Sequence, residues 1–400
     1  MSADTFVERA QALAPLIAAH ADEAERERRL PAPVATAFAR EGLYRVGGPR
    51  EFHGAEADPM TQIRVIEAVS RADGSAGWNL MIGIETFGII SAGFHKCPDL
   101  IADPMTVMAS STAAVGRAER VAEGWLVNGQ WQFASGVHNA QIFGATVRLH
   151  ENGEEVEPLN RYAIVPSEQI EIVDTWHVAG LRGSGSHDVR LTDVVVPDEH
   201  IISAMGGTRS ESPLLRIPLG TRLAYNKVAV ALGIARAGID VFVDVATEKH
   251  PRFSDRKIRE RPFVQRTLAT AEARLRAVRA SVFDIVETVW DIVLRDEEVP
   301  ARERALLQIV CSDAVRTSAE AVDAVVEAAG TTANKLGHPL ERIARDVRVV
   351  RQHFTVAPHH IEDGGRVLLG LEAEGLMLRM VTAGGLARAA QPPAERQPDA

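Results

Sequence analysis

Apolar positions along this chain repeat with two different periods, and the switch between them divides it into thirds. Over 5–28, Val7, Leu13, Leu16 and Ile17 recur at helical spacing against an exterior rich in Glu and Arg, the pattern of an amphipathic helix. Pro31 suits the first turn of a second helix and Gly42 its end. Asp58 or Thr61 can start a third, running through Ile63, Val65, Ile66 and Val69, and Ser75 can cap a fourth that holds Trp78, Leu80, Ile82 and Ile84. Residues 1–104 therefore read as an N-terminal helical domain.

From 105 to 205 the texture changes. Short β-branched runs at 106–108, 125–127, 141–149, 162–165 and 189–196 are separated by Gly, Asn, Pro and Asp, with turn signals at Asn128-Gly129 and Asn152-Gly153. A compact β-barrel or sandwich fits this spacing, and a doubly wound nucleotide-binding sheet does not. After a Gly- and Ser-rich connector at 206–212, helical periodicity returns for 213–386. Leu268, Leu275, Val278, Val282, Ile285 and Val289 mark one long helix; Leu306, Ile309, Val310, Ala314, Ala321 and Val325 mark the next. The run at 345–354 sets Val347 and Val350, with Ile343 before them, against Arg345, Asp346 and Arg348, and places His353 near its end with Pro358 beyond. Four such helices pack as a bundle. Residues 387–400, polar and Pro-rich, form a loose tail. The fold class is α+β, mainly α.

Composition narrows the functions. A chain of 400 residues, 46% hydrophobic, buries a large core. A net charge of -10 without a basic tract argues against nucleic acid as a partner. Cys97 and Cys311 have no metal-ligand spacing and no disulfide is expected. Glu8, Arg9 and Asp22 interrupt any signal core, and Glu85 and Thr86 break the most apolar stretch, so a cytoplasmic protein without a membrane span is expected. There is no phosphate-loop motif, Gly183-Ser184-Gly185 lacks a dinucleotide fingerprint, no paired Glu-x-x-His ligands mark a di-iron bundle, and His359 and His360 cannot both face one metal from a regular helix. No metal site is assigned.

Three stretches and their order carry a resemblance. Gly-Trp-Leu-Val-Asn-Gly-Gln-Trp-Gln-Phe-Ala-Ser-Gly at 124–136, Gly-Leu-Arg-Gly-Ser-Gly-Ser-His-Asp-Val at 180–189 and Gly-His-Pro-Leu-Glu-Arg-Ile-Ala-Arg-Asp at 337–346, set in a helix, β, helix order over nearly the whole chain, resemble the acyl-CoA dehydrogenase superfamily. That resemblance implies a flavin bound between the β domain and the bundle, and a homotetramer. Many dehydrogenases of this kind carry a catalytic Glu late in the Arg-Asp segment. Here Phe354 stands at that position, and a phenyl ring accepts no proton.

His353 beside it resembles the His of the two-component flavin monooxygenases built on this fold. Those enzymes take reduced flavin, FMN or FAD, from a separate reductase, combine it with dioxygen to a flavin hydroperoxide, and hydroxylate small aromatic or heteroaromatic substrates. An imidazole can take a proton from a phenol or hold the hydroperoxide in place. His353 and Ser135 are therefore the catalytic candidates, Ser135 as a hydroxyl that bonds the flavin without adding charge. The resemblance further implies Trp131 and Phe133 against the flavin ring, Arg182, Ser184 and Ser186 in a Gly-rich turn that meets its phosphate or ring oxygens, and Gln265, Gly330 and Thr331 toward a neighbouring subunit's flavin. Trp78 and His138 are candidates to line the substrate cavity. A dehydrogenase with a relocated base and a catalytically silent assembly protein stay open as alternatives.

Overall fold

The computed structural model describes residues 3–156, 160–203 and 211–380. The expected first helix is two, α1 (Ala3–Ala12) and α2 (Ala14–Glu27), because Pro15 has no N–H to continue α1 and suits the first turn of α2. Helix α3 (Ala32–Arg40) follows Pro31, and Gly42 takes a φ of 72° after its end. Asp58 caps α4 (Pro59–Ala72) by accepting from the N–H and hydroxyl of Thr61 at 2.9 and 2.8 Å. Helix α5 (Gly74–Ile90) is capped by Asp73 rather than Ser75: a cap stands outside the helix in extended backbone, and Asp73 does so while accepting from the Ala76 N–H at 2.8 Å.

The β region is one eight-stranded sheet, with β1 (Met108–Val121), β2 (Gly124–Trp131), β3 (Ile142–Glu151), β4 (Glu154–Glu155), β5 (Arg161–Pro166), β6 (Glu171–Val173), β7 (Asp188–Val196) and β8 (Ile201–Ser203). Its order is β6-β7-β2-β1-β3-β5-β8, with β4 paired to β3; β1 and β3 run parallel and the other pairs antiparallel. One apolar cluster gathers Val127, Trp131, Phe143, Val147 and Val189; another joins Met108, Ile142, Ile164 and Ile202 to Phe87 and Ile90 of α5. Strand β3 supplies both clusters, so it reads as a continuous apolar run. Strand β1 extends far beyond the 106–108 expected of it. Its Ala- and Ser-rich sequence lacks bulky alternation because Trp131 lies on it: a Cβ on Gly116 would stand 2.3 Å from that ring. Asn128-Gly129 makes no turn but sits inside β2 at a shift of register against β7. Asn152-Gly153, with φ of 53° and 86°, is the expected tight turn between β3 and β4.

The bundle comprises α6 (Leu219–Glu248), α7 (Pro262–Leu294), α8 (Ala301–Ala329) and the shorter α9 (Pro339–Arg351), followed by α10 (His359–Leu368) and α11 (Leu376–Arg379). Helix α9 stops at Arg351, so His353 lies beyond the helix into which periodicity placed it. The first helical region does not close on itself: Phe38, Ile66 and Leu80 share one core with Tyr225, Val228, Leu232 and Val347. Among the described residues no helix is long and apolar enough to cross a membrane. Most of the connector at 206–212 and the whole tail at 387–400 fall outside the described residues.

Candidate active site

Four pieces of chain converge around Trp78 on α5. After β2 the backbone kinks at Phe133, which takes a left-handed φ of 58°, and again at Gly136, with a φ of 78°. This kinked segment is pinned to the Gly-rich turn, Ala134 N–H donating to His187 O at 2.9 Å and Gly136 N–H to Ser184 O at 3.1 Å. The pinning brings three buried hydroxyls into a row, with Ser135 Oγ 2.6 Å from Ser186 Oγ and Ser184 Oγ 2.7 Å from the same Ser186 oxygen. Trp78 Nε1–H donates to Ser135 at 3.2 Å. A hydroxyl donates once and accepts twice, so Ser135 keeps capacity for one further partner.

His353 completes the group from the bundle side, its ring 5.1 Å from that of Trp78 and tilted by 66°. It is the N-cap of the short turn at Phe354–Val356, and the Thr355 N–H donates to its Nδ1 at 3.3 Å, with the Thr355 hydroxyl also in reach at 3.0 Å. Burial, aided by the charge of Lys227, pushes its pKa down to about 3. The imidazole is therefore neutral at ordinary pH. Because a backbone N–H can only donate, Nδ1 is the acceptor and the ring proton sits on Nε2. Of the two roles the sequence allows, this geometry favours donating a hydrogen bond over removing a proton.

Beside His353 lies a group that sequence reasoning missed. Lys227 on α6 forms a hydrogen-bonded ion pair with Glu85 on α5, both side chains almost wholly buried. The signal was present: Glu85 is the one charge in the seventeen residues of α5, and Lys227 opens the apolar run of α6. Only their pairing, across 142 positions, was illegible.

Two of the stretches that carry the resemblance, 180–189 and 337–346, meet here. Asp346 is buried on α9 and accepts from the Leu181 N–H at 2.6 Å; a Cβ on Gly180 would lie 2.4 Å from Arg345 O. Arg345 in turn bonds Glu341 and pairs with Glu25 of α2. Helix α9, the turn at 180–186 and the N-terminal helices are thereby fastened together next to the site.

The remaining candidates divide. Phe133 is 58% exposed and meets Trp176 edge-on at 6.2 Å, an aromatic pair open to a flat ring. Trp131 offers no surface: it is wholly buried, its N–H spent on Thr146 O at 2.8 Å, so its role is β-core packing rather than contact with a flavin. Arg182 reaches Glu25 O and Val178 O, which turns its guanidinium toward α2. His138 packs on His187 at 5.0 Å, and burial holds its pKa down at about 4. Gln265 is exposed on α7 and donates to Arg259 O at 3.1 Å, while Gly330, with a φ of 66°, and Thr331 end α8 in exposed turns. Within the single chain none of these three joins the Ser135–His353 group. An exposed Phe133 beside a half-buried Trp176, a hydroxyl with a free valence and a Gly-rich turn fit a flavin.

Known proteins resemble this chain over most of its length. Family models described as the acyl-CoA dehydrogenase N-terminal and C-terminal domains match residues 4–94 and 225–358. An indole-3-acetate monooxygenase from Pseudomonas putida is 32% identical over 87% of this chain and 89% of its own length. The oxygenase subunit HsaA of a flavin-dependent monooxygenase from Rhodococcus jostii is 29% identical over 88% and 94%. The crystal structure of 3-HSA hydroxylase from Rhodococcus superimposes with a TM-score of 0.84 at 27% identity, covering 94% of this chain and all of that one. The chain belongs to the acyl-CoA dehydrogenase superfamily, within its branch of two-component flavin-dependent monooxygenases.

Proposed function

We propose that this chain is the oxygenase component of a two-component system, taking reduced flavin from a separate reductase and placing one atom of dioxygen on a small aromatic or heteroaromatic substrate. The observation that carries the reading is the contact of Trp78 with both Ser135 and His353. Flavin supplies the reaction with dioxygen and the transfer of its oxygen atom. The chain's own residues position and protect. Ser135, bonded to Trp78 and Ser186, presents a fixed hydroxyl with one valence left. His353 presents a neutral Nε2–H from a ring locked by Thr355. Trp78, itself buried, contacts both. Phe354, half exposed at the position where a dehydrogenase carries its Glu, brings no base.

A homotetramer would supply Gln265, Gly330 and Thr331 from one subunit to the flavin of another, which accounts for their exposure here. A cytoplasmic location is part of the same proposal. The experiment is anaerobic mixing with reduced FMN or FAD, followed by dioxygen and an aromatic panel that includes indole and phenol. Oxygenated product and a short-lived absorbance distinct from oxidised flavin are expected. His353→Ala should still bind reduced flavin yet divert oxygen use to free hydrogen peroxide; unchanged product yield would remove His353 from the mechanism. Flavin bleached by an acyl-CoA would instead establish a dehydrogenase.

A further inference from the structure

The Glu85–Lys227 pair leaves one of its oxygens open. Glu85 Oε2 takes the Lys227 ammonium, but Glu85 Oε1 has no hydrogen-bond partner among the described residues, in a side chain only 6% exposed. An ionised oxygen buried without a donor is destabilising. Such a site is retained where something outside the fold brings the donor.

Position says where that donor comes from. Residues seven apart on a helix lie on one face, and Glu85 is seven residues beyond Trp78. The same face carries Ile82 and Ile89, the two residues of α5 that are not buried. This stripe is therefore where an otherwise enclosed helix meets open space. Trp78 touches His353, and the charge of Lys227, the partner of Glu85, also acts on His353.

Resting on the function proposed above, we propose that Glu85 Oε1 is the acceptor for a hydrogen-bond donor on the substrate ring, a phenol O–H or an indole N–H, with Lys227 holding the carboxylate in place. The two polar roles at the site are then divided: His353 Nε2–H donates, and Glu85 accepts. A ring whose O–H or N–H is bonded to a carboxylate is more electron-rich, which suits attack on an electrophilic oxygen. A ring lacking a donor at that point leaves the buried oxygen unpaired and is rejected.

Two pairs of probes test this: indole against 1-methylindole, and phenol against anisole, by equilibrium dialysis with protein holding reduced flavin under anaerobic conditions. The donor-bearing member of each pair should bind about tenfold tighter or better, the scale of one buried hydrogen bond to a charged group. Replacing both charges by apolar side chains of similar length, Glu85→Met with Lys227→Met, should bring each ratio within about twofold of unity while reduced flavin still binds. Should that protein not fold, Glu85→Gln is the second variant, expected to bring the ratio to unity or below, because its one oxygen stays on the Lys227 ammonium and an N–H, which cannot accept, takes the open position. Equal binding of both members by the wild type, or ratios kept in the folded variants, overturns the assignment. Failure of the underlying oxygenase reading looks different: the wild type then binds neither member of either pair and forms no product.

Discussion

Two buried charged clusters stand near opposite ends of α5, and they are finished differently. At the N-terminal end, Asp73 takes the Ala76 N–H, Asp346 takes the Leu181 N–H, and Arg342 lies 3.8 Å from Asp73 while bonding Asp22. Twelve residues later, Glu85 and Lys227 satisfy one another only in part, and neither Glu85 Oε1 nor His353 Nε2 has a hydrogen-bond partner among the described residues. Burying charge is unfavourable in both places. The first cluster offsets it with backbone bonds that fasten α9 to the Gly-rich turn and to α5. The second has no such backbone bond, and on the assignment proposed above a ligand completes it. The two differ in what their carboxylates accept, backbone N–H groups at the first and only the Lys227 ammonium at the second.

Single substitutions break that contrast most visibly at the second cluster. Lys227→Met strands Glu85 as a buried, uncompensated carboxylate and should destabilise the protein by about 3–5 kcal/mol, read as a fall in the denaturation midpoint at pH 7. Adding Glu85→Met to it should restore most of the loss, because a well-packed apolar pair often equals or exceeds a buried ion pair in stability. A double variant no more stable than Lys227→Met would mean that the pair holds the fold after all, and the contrast would fail.

At the first cluster the expected effect is smaller. Asp346→Ala leaves the Leu181 N–H buried without an acceptor, which should cost about 1–3 kcal/mol. The comparison sharpens if this variant keeps its affinity for reduced flavin once folded, since the turn at 180–186 is also held by Ser184 O and His187 O against the 134–136 segment. Loss of flavin binding in a folded Asp346→Ala protein would show that the tie reaches into the site itself.

The same contrast explains what was legible in the sequence. Periodicity marks positions whose neighbours are local, so the helical regions, most of the strands and the Asn152-Gly153 turn could be read directly. It placed His353 inside a helix because Val347 and Val350 keep helical spacing; a helix end is set by capping, and Gln352 closes α9 before His353 is reached. It missed most of β1 because small residues there accommodate Trp131 from another strand. Trp131 and Trp78 look alike in sequence, yet one N–H is spent on a core carbonyl and the other on Ser135. Resemblance supplied Ser135 and His353 as candidates. Glu85 and Lys227 were visible only as interruptions of apolar runs, and what joins them is tertiary packing, which no local pattern records.

A further effect concerns protons at the first cluster. Burial and the neighbouring charge of Asp73 push the Asp346 pKa up to about 8, whereas an unfolded Asp titrates near 3.9, a value typical of model peptides. The folded protein therefore holds a proton that the unfolded chain has already released between about pH 4 and pH 8. Stability from this group is fully present below the unfolded value and falls as pH rises, by up to about 1.4 kcal/mol per pH unit, until the folded pKa is passed. Asp346→Asn copies the protonated carboxyl: its oxygen can still accept from Leu181 N–H, its amide can donate where the acid proton did, and it does not titrate. Melting temperatures at pH 5 and pH 8 should thus fall further apart in the wild type than in Asp346→Asn. The sign is diagnostic, because an ordinary surface carboxylate drawn down by a cation would change stability in the opposite sense, gaining it as pH rises through the acid range. Parallel pH profiles for the two proteins would mean that Asp346 is ionised in the fold, and Arg342 and Arg345 would then have to neutralise it rather than share a site with an uncharged acid.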